Sequence, residues 1–389
     1  MNKPRKFLVV PSKKRPWYYV ETSKVTITFF IENLLTSKYK LFNAFIRLLS
    51  KFIALDKLLA FIGHETDKIE ESITSAVRLI NLNNNNIIIR LTTWHRKNDK
   101  FTLFIFNGKQ QTPHAIAKCL PNQFSHSLEN EFANMKKITG YFKNTEISVP
   151  HPIKLIKSGT HSIYLELFCE GIALNDLANR EFSPNQRLTL YEQGLNFVDN
   201  LIQKFAMFKS KMHQEIFELY IESSLENFEK TNRLVELYLH RFNKLKDTTV
   251  KMNNKNIASI PMHGDLWGGS ILMNGNEAAV IDWEFFQDAG MPLWDLFMFF
   301  IHPGFVLKGH NKGLFSEFRT FSRHKNVLNK MNHILNKRGA ELDLEIEDIE
   351  FLFQIFLIYN CLTRDNSTEK NWETCLNNYW ASEPLWVEN

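Results

Sequence analysis

Three short stretches in the second half of the chain decide the fold: residues 263–272 read HGDLWGGSIL, residues 279–284 read AVIDWE, and residues 292–296 read PLWDL. Between the first two, the dipeptide Asn274-Gly275 is flanked by apolar residues, a pattern that predicts a tight β-hairpin turn. Asp265 precedes the first predicted strand of this hairpin, and Asp282 ends the second. The turn therefore predicts that the two carboxylates come together at one end of the hairpin.

Paired carboxylates of this kind suit phosphoryl transfer. That reaction uses a carboxylate to accept the proton of the attacking hydroxyl, oxygen ligands for Mg²⁺ on the phosphates, and a lysine that holds the phosphates. Asp265 and Asp282 meet part of this need. Each taken alone is equally compatible with a surface aspartate near a turn, so the pair requires support from the rest of the chain.

The ordered set of motifs resembles the aminoglycoside/choline phosphotransferase family, and the version with Trp267 is also similar to the loop of fructosamine kinases. The shared pattern is a His-Gly-Asp loop, an Ile-Asp strand end and a downstream Asp-Leu. The resemblance implies that Asp265 is the catalytic base and Asp282 the main metal ligand. It also implies that His263 and Asp295 brace the loop from behind, and that the cofactors are ATP and Mg²⁺.

The N-terminal half contributes a candidate lysine. Residues 114–118 read HAIAK and resemble the third strand of kinases, which carries the lysine that binds the phosphates. Glu131, on a predicted helix, fits the glutamate that pairs with Lys118, and Glu129 on another face of that helix is the alternative. A lysine that ends an apolar strand is otherwise an ordinary solvated strand end.

A hinge is the last element that the resemblance implies. The stretch Glu166-Leu167-Phe168 resembles the segment that offers backbone groups to adenine, so Glu166 and Phe168 are candidate nucleotide-binding residues. The resemblance covers residues 85–365, and the first 80 residues carry none of it.

Two departures from the family pattern concern the metal and the phosphates. Ser270 stands where the family has asparagine, and a serine hydroxyl is shorter and donates less electron density to Mg²⁺ than an amide oxygen. Asn274 is claimed by the hairpin turn and does not replace it. Residues 90–100 contain no glycine, so a Gly-rich phosphate loop is absent from the sequence there. An alternative to a phosphotransferase is therefore a catalytically weak, nucleotide-binding regulator.

Composition excludes several classes. Of the 389 residues, 44% are hydrophobic and 23% charged, which is typical of a globular rather than a disordered chain. The four cysteines form no Cys-x-x-Cys pair, which argues against a zinc ribbon. We expect a cytoplasmic protein with no signal peptide, no membrane span and no nucleic-acid partner.

The pattern of apolar residues predicts a strand-rich N-terminal half and a mainly helical C-terminal half. The family resemblance implies that these form an α+β, bilobal, protein-kinase-like fold with a strand-rich N-terminal lobe and a mainly helical C-terminal lobe. The predicted parts are residues 1–80 as a basic extension, 81–170 as the nucleotide-binding lobe and 171–389 as the helical lobe with the catalytic loop. We expect strands over 7–10, 17–20, 87–92, 102–106, 115–119, 162–168, 270–273 and 278–281, a turn over 83–86, and helices over 40–62, 127–138, 185–208, 213–245, 312–336 and 344–362.

The N-terminal extension is unusually basic. Residues 1–51 hold eleven Lys or Arg against two acids, a net charge of +9, whereas the whole chain has a net charge of +5. The helix over 40–62 has a wide apolar face, and together these features fit weak contact with an anionic membrane surface. The alternative, which we favour, is that the helix packs on the N-terminal lobe and its charges are solvated.

The acceptor is not readable from the sequence beyond its class. Near the reactive end, Glu284 and Trp267 are candidates for contact with the substrate or a second metal ion, and aromatic and acidic groups suit a cationic or sugar-like hydroxyl compound. Trp294 is more simply explained by core packing. A protein kinase is disfavoured, because the loop reads His-Gly-Asp and only a short segment separates Asp282 from Asp295.

Overall fold

A computed structural model gives the structure of the chain and describes the following residues: 7–12, 15–21, 23–30, 34, 64–66, 71–80, 86–91, 101–108, 110–143, 145–158, 161–181, 183–231, 239–275, 277–301, 325–364 and 366–380. The predicted helix over 40–62, the turn over 83–85 and the start of the predicted helix at 312 lie outside these residues. The chain divides into two compact units, which consist of Met1–Ile172 with Leu272–Glu284, and of Ala173–Ile271 with Phe285–Asn389.

The strands, numbered in chain order, are β1 (Phe7–Ser12), β2 (Arg15–Glu21), β3 (His64–Thr66), β4 (Asn86–Leu91), β5 (Phe101–Phe106), β6 (Ala115–Pro121), β7 (Ile147–Ser148), β8 (Pro152–Lys157), β9 (His161–Leu167), β10 (Ile172–Ala173), β11 (Ser210–Lys211), β12 (Ala258–Met262), β13 (Ile271–Asn274), β14 (Glu277–Val280) and β15 (Gln287–Gly290).

The helices are α1 (Lys24–Phe29), α2 (Glu71–Leu79), α3 (Ser125–Tyr141), α4 (Leu174–Arg180), α5 (Pro184–Ala206), α6 (Gln214–Phe217), α7 (Ser223–Lys230), α8 (Leu239–Asn254), α9 (Trp294–Ile301), α10 (Lys325–Glu341), α11 (Ile346–Thr363) and α12 (Asn366–Trp380). None of the described helices is both long enough and apolar enough to cross a membrane.

The first unit is built on an eight-stranded antiparallel sheet with the order β3-β1-β2-β4-β5-β6-β9-β8. Alternate residues of β4 enter different cores. Ile87 and Ile89 pack with α2 on one face, and Ile88 packs with α1 on the other. Successive side chains of a strand point to opposite faces, so a strand covered on both faces needs the continuous apolar run that β4 and β5 contain.

The hairpin that the sequence predicts is present in β13 and β14: Asn274 ends β13, and Gly275 follows it with a φ of +60°. In the first unit β14 pairs in parallel with β7. Glycine adopts such a positive φ without the steric cost that other residues meet.

The second unit is mainly helical. Helix α11 is buried almost all round, which explains its nearly unbroken apolar sequence, and its first turn is closed by reciprocal capping between Glu345 and Asp348. The strand-rich and mainly helical units confirm the predicted α+β class.

Several elements differ from the sequence prediction. Within the described residues, the helix predicted over 213–245 is helical over 214–230, where a π-helical segment at Glu218–Glu222 joins α6 to α7, and along α8 from Leu239. The sequence analysis predicts no strand over residues 152–157, which form β8. Pro152 is in fact the first residue of an edge strand, where a missing N–H is tolerated.

Candidate functional site

Lys118 lies on β6 and is the centre of a charged cluster in the first unit. Its Nζ donates a hydrogen bond to Glu131 of α3, lies 2.8 Å from Asp282 Oδ1 and lies 3.2 Å from Glu166 Oε1. The structure therefore brings together four of the residues singled out from the sequence. Glu129, the alternative partner, is instead 2.8 Å from Lys157.

The strand register explains how Glu166 reaches this cluster. In the β6–β9 ladder, Ile116 faces Glu166 and Lys118 faces Tyr164. Residues two apart along a strand share a face, so Glu166 and Lys118 are diagonal neighbours on the same side of the sheet. The sequence marked Glu166 for its backbone, whereas its buried side chain contacts the lysine.

Burial and charge set the protonation of this cluster. Lys118 and Glu131 are 7% and 2% exposed, whereas the side chain of Asp282 is 54% exposed. Burial alone would lower the pKa of Lys118, but the three carboxylates outweigh it and hold that pKa well above 10.5. Burial, opposed by Lys118 and assisted by the other two carboxylates, raises the pKa of Glu131 to about 8.

The segment after β14 is fixed to helix α3. Asp282 has a φ of +65°, which is uncommon for a residue other than glycine. The amide of Asn134 donates to the carbonyl oxygens of Trp283 at 2.9 Å and Glu284 at 3.4 Å, and Ser127 Oγ donates to Glu284 Oε2 at 2.5 Å. These hydrogen bonds hold the backbone next to Asp282, and they engage the Glu284 carboxylate with α3.

In the second unit, Asp295 supports the His-Gly-Asp loop. Its carboxylate accepts hydrogen bonds from the backbone N–H of His263 at 2.7 Å and of Gly264 at 2.9 Å. Burial raises the pKa of Asp295, while the hydrogen bonds that it accepts from the two backbone N–H groups oppose that rise. The indole of Trp294 donates to the Gly264 carbonyl at 3.2 Å, so this buried tryptophan also supports the loop.

Ser270 is buried inside the same loop, with an exposure of 1%. Its hydroxyl donates to the backbone carbonyl of Asp265 at 3.0 Å. The ring of Trp267 covers Gly269, where an added Cβ would lie 2.5 Å from the indole. The hydrogen bond between Ser270 and Asp265 therefore closes the loop. Position 269 has to be glycine, because the indole of Trp267 occupies the space that a side chain would need.

Asp265 has a partner that the sequence analysis does not predict. Its Oδ1 lies 2.8 Å from Nη2 of Arg364, at the C-terminal end of α11. No motif surrounds Arg364, and almost one hundred residues separate it from the loop. Only the packing of α11 in the second unit reveals it.

In the predicted hinge, part of the backbone is already hydrogen-bonded within the sheet. The N–H of Phe168 donates to the His114 carbonyl at 3.2 Å, which extends the β6–β9 ladder by one residue. The Phe168 ring packs edge-on against Phe29 of α1, with centroids 5.9 Å apart. The backbone N–H of Phe168 is therefore engaged by the protein itself, and α1 lies beside the hinge.

The Lys118 cluster and the His-Gly-Asp loop lie within a stretch that matches a recognised family. A family model described as "phosphotransferase enzyme family" matches residues 110–310, more than half of the chain. The chain belongs to this family, which confirms the resemblance found in the sequence. ATP and a divalent metal ion are typical of its members. No curated protein sequence matches the chain.

Solved structures with similar folds include three kinases. An amicoumacin kinase in complex with AMP-PNP, Ca²⁺ and its antibiotic is 13% identical, with 77% of this chain and 90% of that chain covered and a TM-score of 0.45. A glucosamine kinase bound to glucosamine, ADP and phosphate is 11% identical, with 81% and 85% covered and a TM-score of 0.46. The GDP and kanamycin complex of APH(2")-IIIa is 11% identical, with 80% and 98% covered and a TM-score of 0.49.

Proposed function

We propose that this protein transfers the γ-phosphate of ATP to a hydroxyl of a small polar molecule. Beyond family membership, the observation that carries the proposal is the contact between a buried lysine, Lys118, and a half-exposed carboxylate, Asp282. Lys118, a cation that can bind phosphate oxygens, therefore lies next to Asp282, a carboxylate that can bind a metal ion. Buried Glu131 and Glu166 hold the lysine in place.

The donor set suits Mg²⁺ bound together with a nucleotide. Mg²⁺ usually takes only one or two protein carboxylates and fills its remaining positions with water and phosphate oxygens. Asp282 would supply the carboxylate, and Lys118 would contact the phosphates. Among the described residues, no group of three or more His, Cys, Asp or Glu is arranged to hold a metal ion by itself. When bound, the ion neutralises charge on the phosphates during transfer.

Asp265 is the proposed base that accepts the proton of the acceptor hydroxyl. Support comes from the way its loop is held: Asp295 accepts two backbone N–H groups, and Ser270 bonds the carbonyl of Asp265 itself. A base fixed by buried groups keeps one orientation and loses little freedom when an acceptor binds. His263 contributes by accepting the Asp265 N–H on Nδ1 at 3.3 Å.

A second candidate is a catalytically weak, nucleotide-binding regulator. Ser270 favours it, because the family asparagine is absent and the serine hydroxyl is buried against the Asp265 carbonyl. The sequence suggested Ser270 as a second metal ligand. In that role, the buried Oγ that donates its hydrogen to the Asp265 carbonyl would also have to bind the metal ion through a lone pair. The two candidates differ in turnover and agree in nucleotide binding.

Nucleotide binding is tested first, with Lys118→Ala and Asp282→Ala. Each change removes a group that would contact the phosphates or their metal ion, so each should weaken Mg·ATP binding by about tenfold or more. The measurement is the shift in melting temperature with Mg·ATP, and Lys246→Ala, which removes an exposed lysine paired with Glu229, is the control. An unchanged shift in both site variants would refute the proposed function.

The remaining assignments are part of the same proposal. They are the acceptor contacts of Glu284 and Trp267, the role of Phe168 beside adenine, and the cytoplasm as the location. Weak membrane contact through the basic N-terminal segment is tested by flotation with anionic liposomes. Binding should fall as salt rises, because salt screens surface charge. A chain that stays unbound at low salt would exclude it.

A further inference from the structure

Arg364 is held rigidly beside Asp265 in the second unit. Its Nη2 lies 2.8 Å from Asp265 Oδ1, its Nε donates to Asn360 Oδ1 at 3.0 Å, and its guanidinium carbon lies 5.8 Å from the ring centroid of Phe285. Asn360 is itself 1% exposed and donates to the Phe356 carbonyl at 2.8 Å. A guanidinium held on three sides has a defined position and not merely a favourable charge.

One end of this guanidinium is left for a ligand. Within the part of the chain that the structure describes, Arg364 Nη1 makes no hydrogen bond, and the side chain is 28% exposed. Nη1 carries two N–H donors and no acceptor. Phe285, a residue that is 49% exposed, has its ring centroid 5.8 Å from the carbon of this guanidinium.

We propose that Arg364 determines which acceptors are phosphorylated: it selects neutral or anionic, oxygen-rich compounds such as sugars and sugar acids, and it rejects amines. The proposal rests on the proposed function, because it assigns the acceptor to the side of the second unit where Asp265 lies. It departs from the cationic acceptor that the aromatic and acidic residues of the sequence suggested.

The reason is electrostatic. An acceptor hydroxyl that reaches Asp265 brings its neighbouring substituents close to Arg364. A hydroxyl or carboxylate oxygen there accepts a hydrogen bond from Nη1, and charge strengthens that bond. An ammonium group would meet a fixed positive charge and would find the Asp265 carboxylate already paired. A sugar ring also offers apolar C–H groups to the half-exposed ring of Phe285.

The test uses matched probes that differ in one substituent: glucose, glucuronate and glucosamine, with kanamycin as a polycationic probe. Saturation-transfer NMR on the full chain detects millimolar binding without requiring turnover, and ATP consumption is measured separately on the same samples. The variants are Arg364→Gln, which removes the charge, and Arg364→Lys, which keeps it. Lys246→Gln, which removes an exposed charge on α8, is the control.

The wild type and Lys246→Gln should bind glucose or glucuronate and exclude kanamycin. Arg364→Gln should shift the preference towards the amines by about tenfold or more, since one repulsive charge pair is lost, and Arg364→Lys should keep most of the wild-type preference. Equal or better binding of the amines by the wild type, an unchanged preference in Arg364→Gln, or no binding of either oxygen probe would overturn the proposal. Selective binding without any ATP consumption would instead count against the proposed function and leave the selection by Arg364 standing.

Discussion

At the scale of single residues, the Lys118 cluster carries more negative than positive charge. Three carboxylates, of Glu131, Glu166 and Asp282, surround one ammonium group. Burying like charges together is unfavourable, and a proton on one of them relieves the repulsion. The raised pKa of Glu131 places that proton on the glutamate of α3.

This arrangement predicts how stability depends on pH. The pKa of Glu131 is about 8 in the folded protein against an ordinary value of 4.5, so the folded state binds the proton more tightly. The resulting stabilisation is complete below pH 4.5 and is lost as the pH rises through about 8. We expect the melting temperature of the wild type to fall across this window more steeply than that of Glu131→Gln, which mimics the protonated side chain.

Glu129→Gln is the matched control, since it changes the same helix. A hydrogen bond from Lys157 lowers the pKa of Glu129, so that residue is ionised throughout the window and its removal should leave the slope unchanged. Thermal melts of the three proteins from pH 4.5 to 8 measure the difference. Parallel curves for the wild type and Glu131→Gln would show that Glu131 is ionised in the folded protein.

At the scale of helices and strands, close packing in the second unit depends on a glycine. A Cβ added to Gly194 of α5 would lie 2.6 Å from Leu174 Cδ2 and 2.7 Å from Phe299 Cζ. Helices α4 and α9 therefore approach α5 at the distance that this missing side chain permits. Leu174, Gly194 and the ring of Phe299 form one buried contact.

Gly194→Ala should destabilise the protein by about 1–3 kcal/mol, because the methyl group has no space between Leu174 and Phe299. Gly140→Ala, on α3, is the comparison: nothing lies within 4 Å of its added Cβ, and the change should stabilise by about 0.5 kcal/mol through helix propensity. Chemical denaturation of both variants measures the two free energies of unfolding. A neutral or stabilising Gly194→Ala would contradict the packing described for α4, α5 and α9.

Elements with a strong local signal were predictable from the sequence, and those set by tertiary contacts were not. Asn274-Gly275 identified the hairpin, and the apolar runs identified β4, β5 and β6. The π-helical segment at Glu218–Glu222 and the extended conformation of residues 152–157 have no comparable signal. They depend on neighbouring elements, which override local propensity.

The same division applies to the candidate site. Motifs with fixed spacing marked Lys118, Glu131, Asp265 and Asp282. The side-chain role of Glu166 depends on the β6–β9 register, and Arg364 meets Asp265 only through the packing of α11. A contact between residues that share no motif, such as Arg364 with Asp265, cannot be predicted from one sequence, because only the folded chain brings the two residues together.

At the scale of the whole molecule, the family match and the sheet have different extents. The match begins at residue 110, yet β1 to β5 precede it and belong to the same sheet as β6. Residues of α1 also enter the core on one face of that sheet, where Phe29 packs against Phe104 and Phe106. The described N-terminal elements are thus built into the first unit, including the part that the sequence marked as an extension.

The most direct test of the account is the transfer of labelled γ-phosphate from ATP to a panel of sugars, sugar acids, amino alcohols and aminoglycosides, measured for the wild type and for Asp265→Ala. The wild type should phosphorylate at least one acceptor. Asp265→Ala should lose that activity by about 10²–10⁴-fold, the typical contribution of a general base, and keep the Mg·ATP-induced rise in melting temperature. A wild type that binds Mg·ATP and phosphorylates nothing would favour the regulator, and an Asp265→Ala variant with full activity would contradict the assigned base.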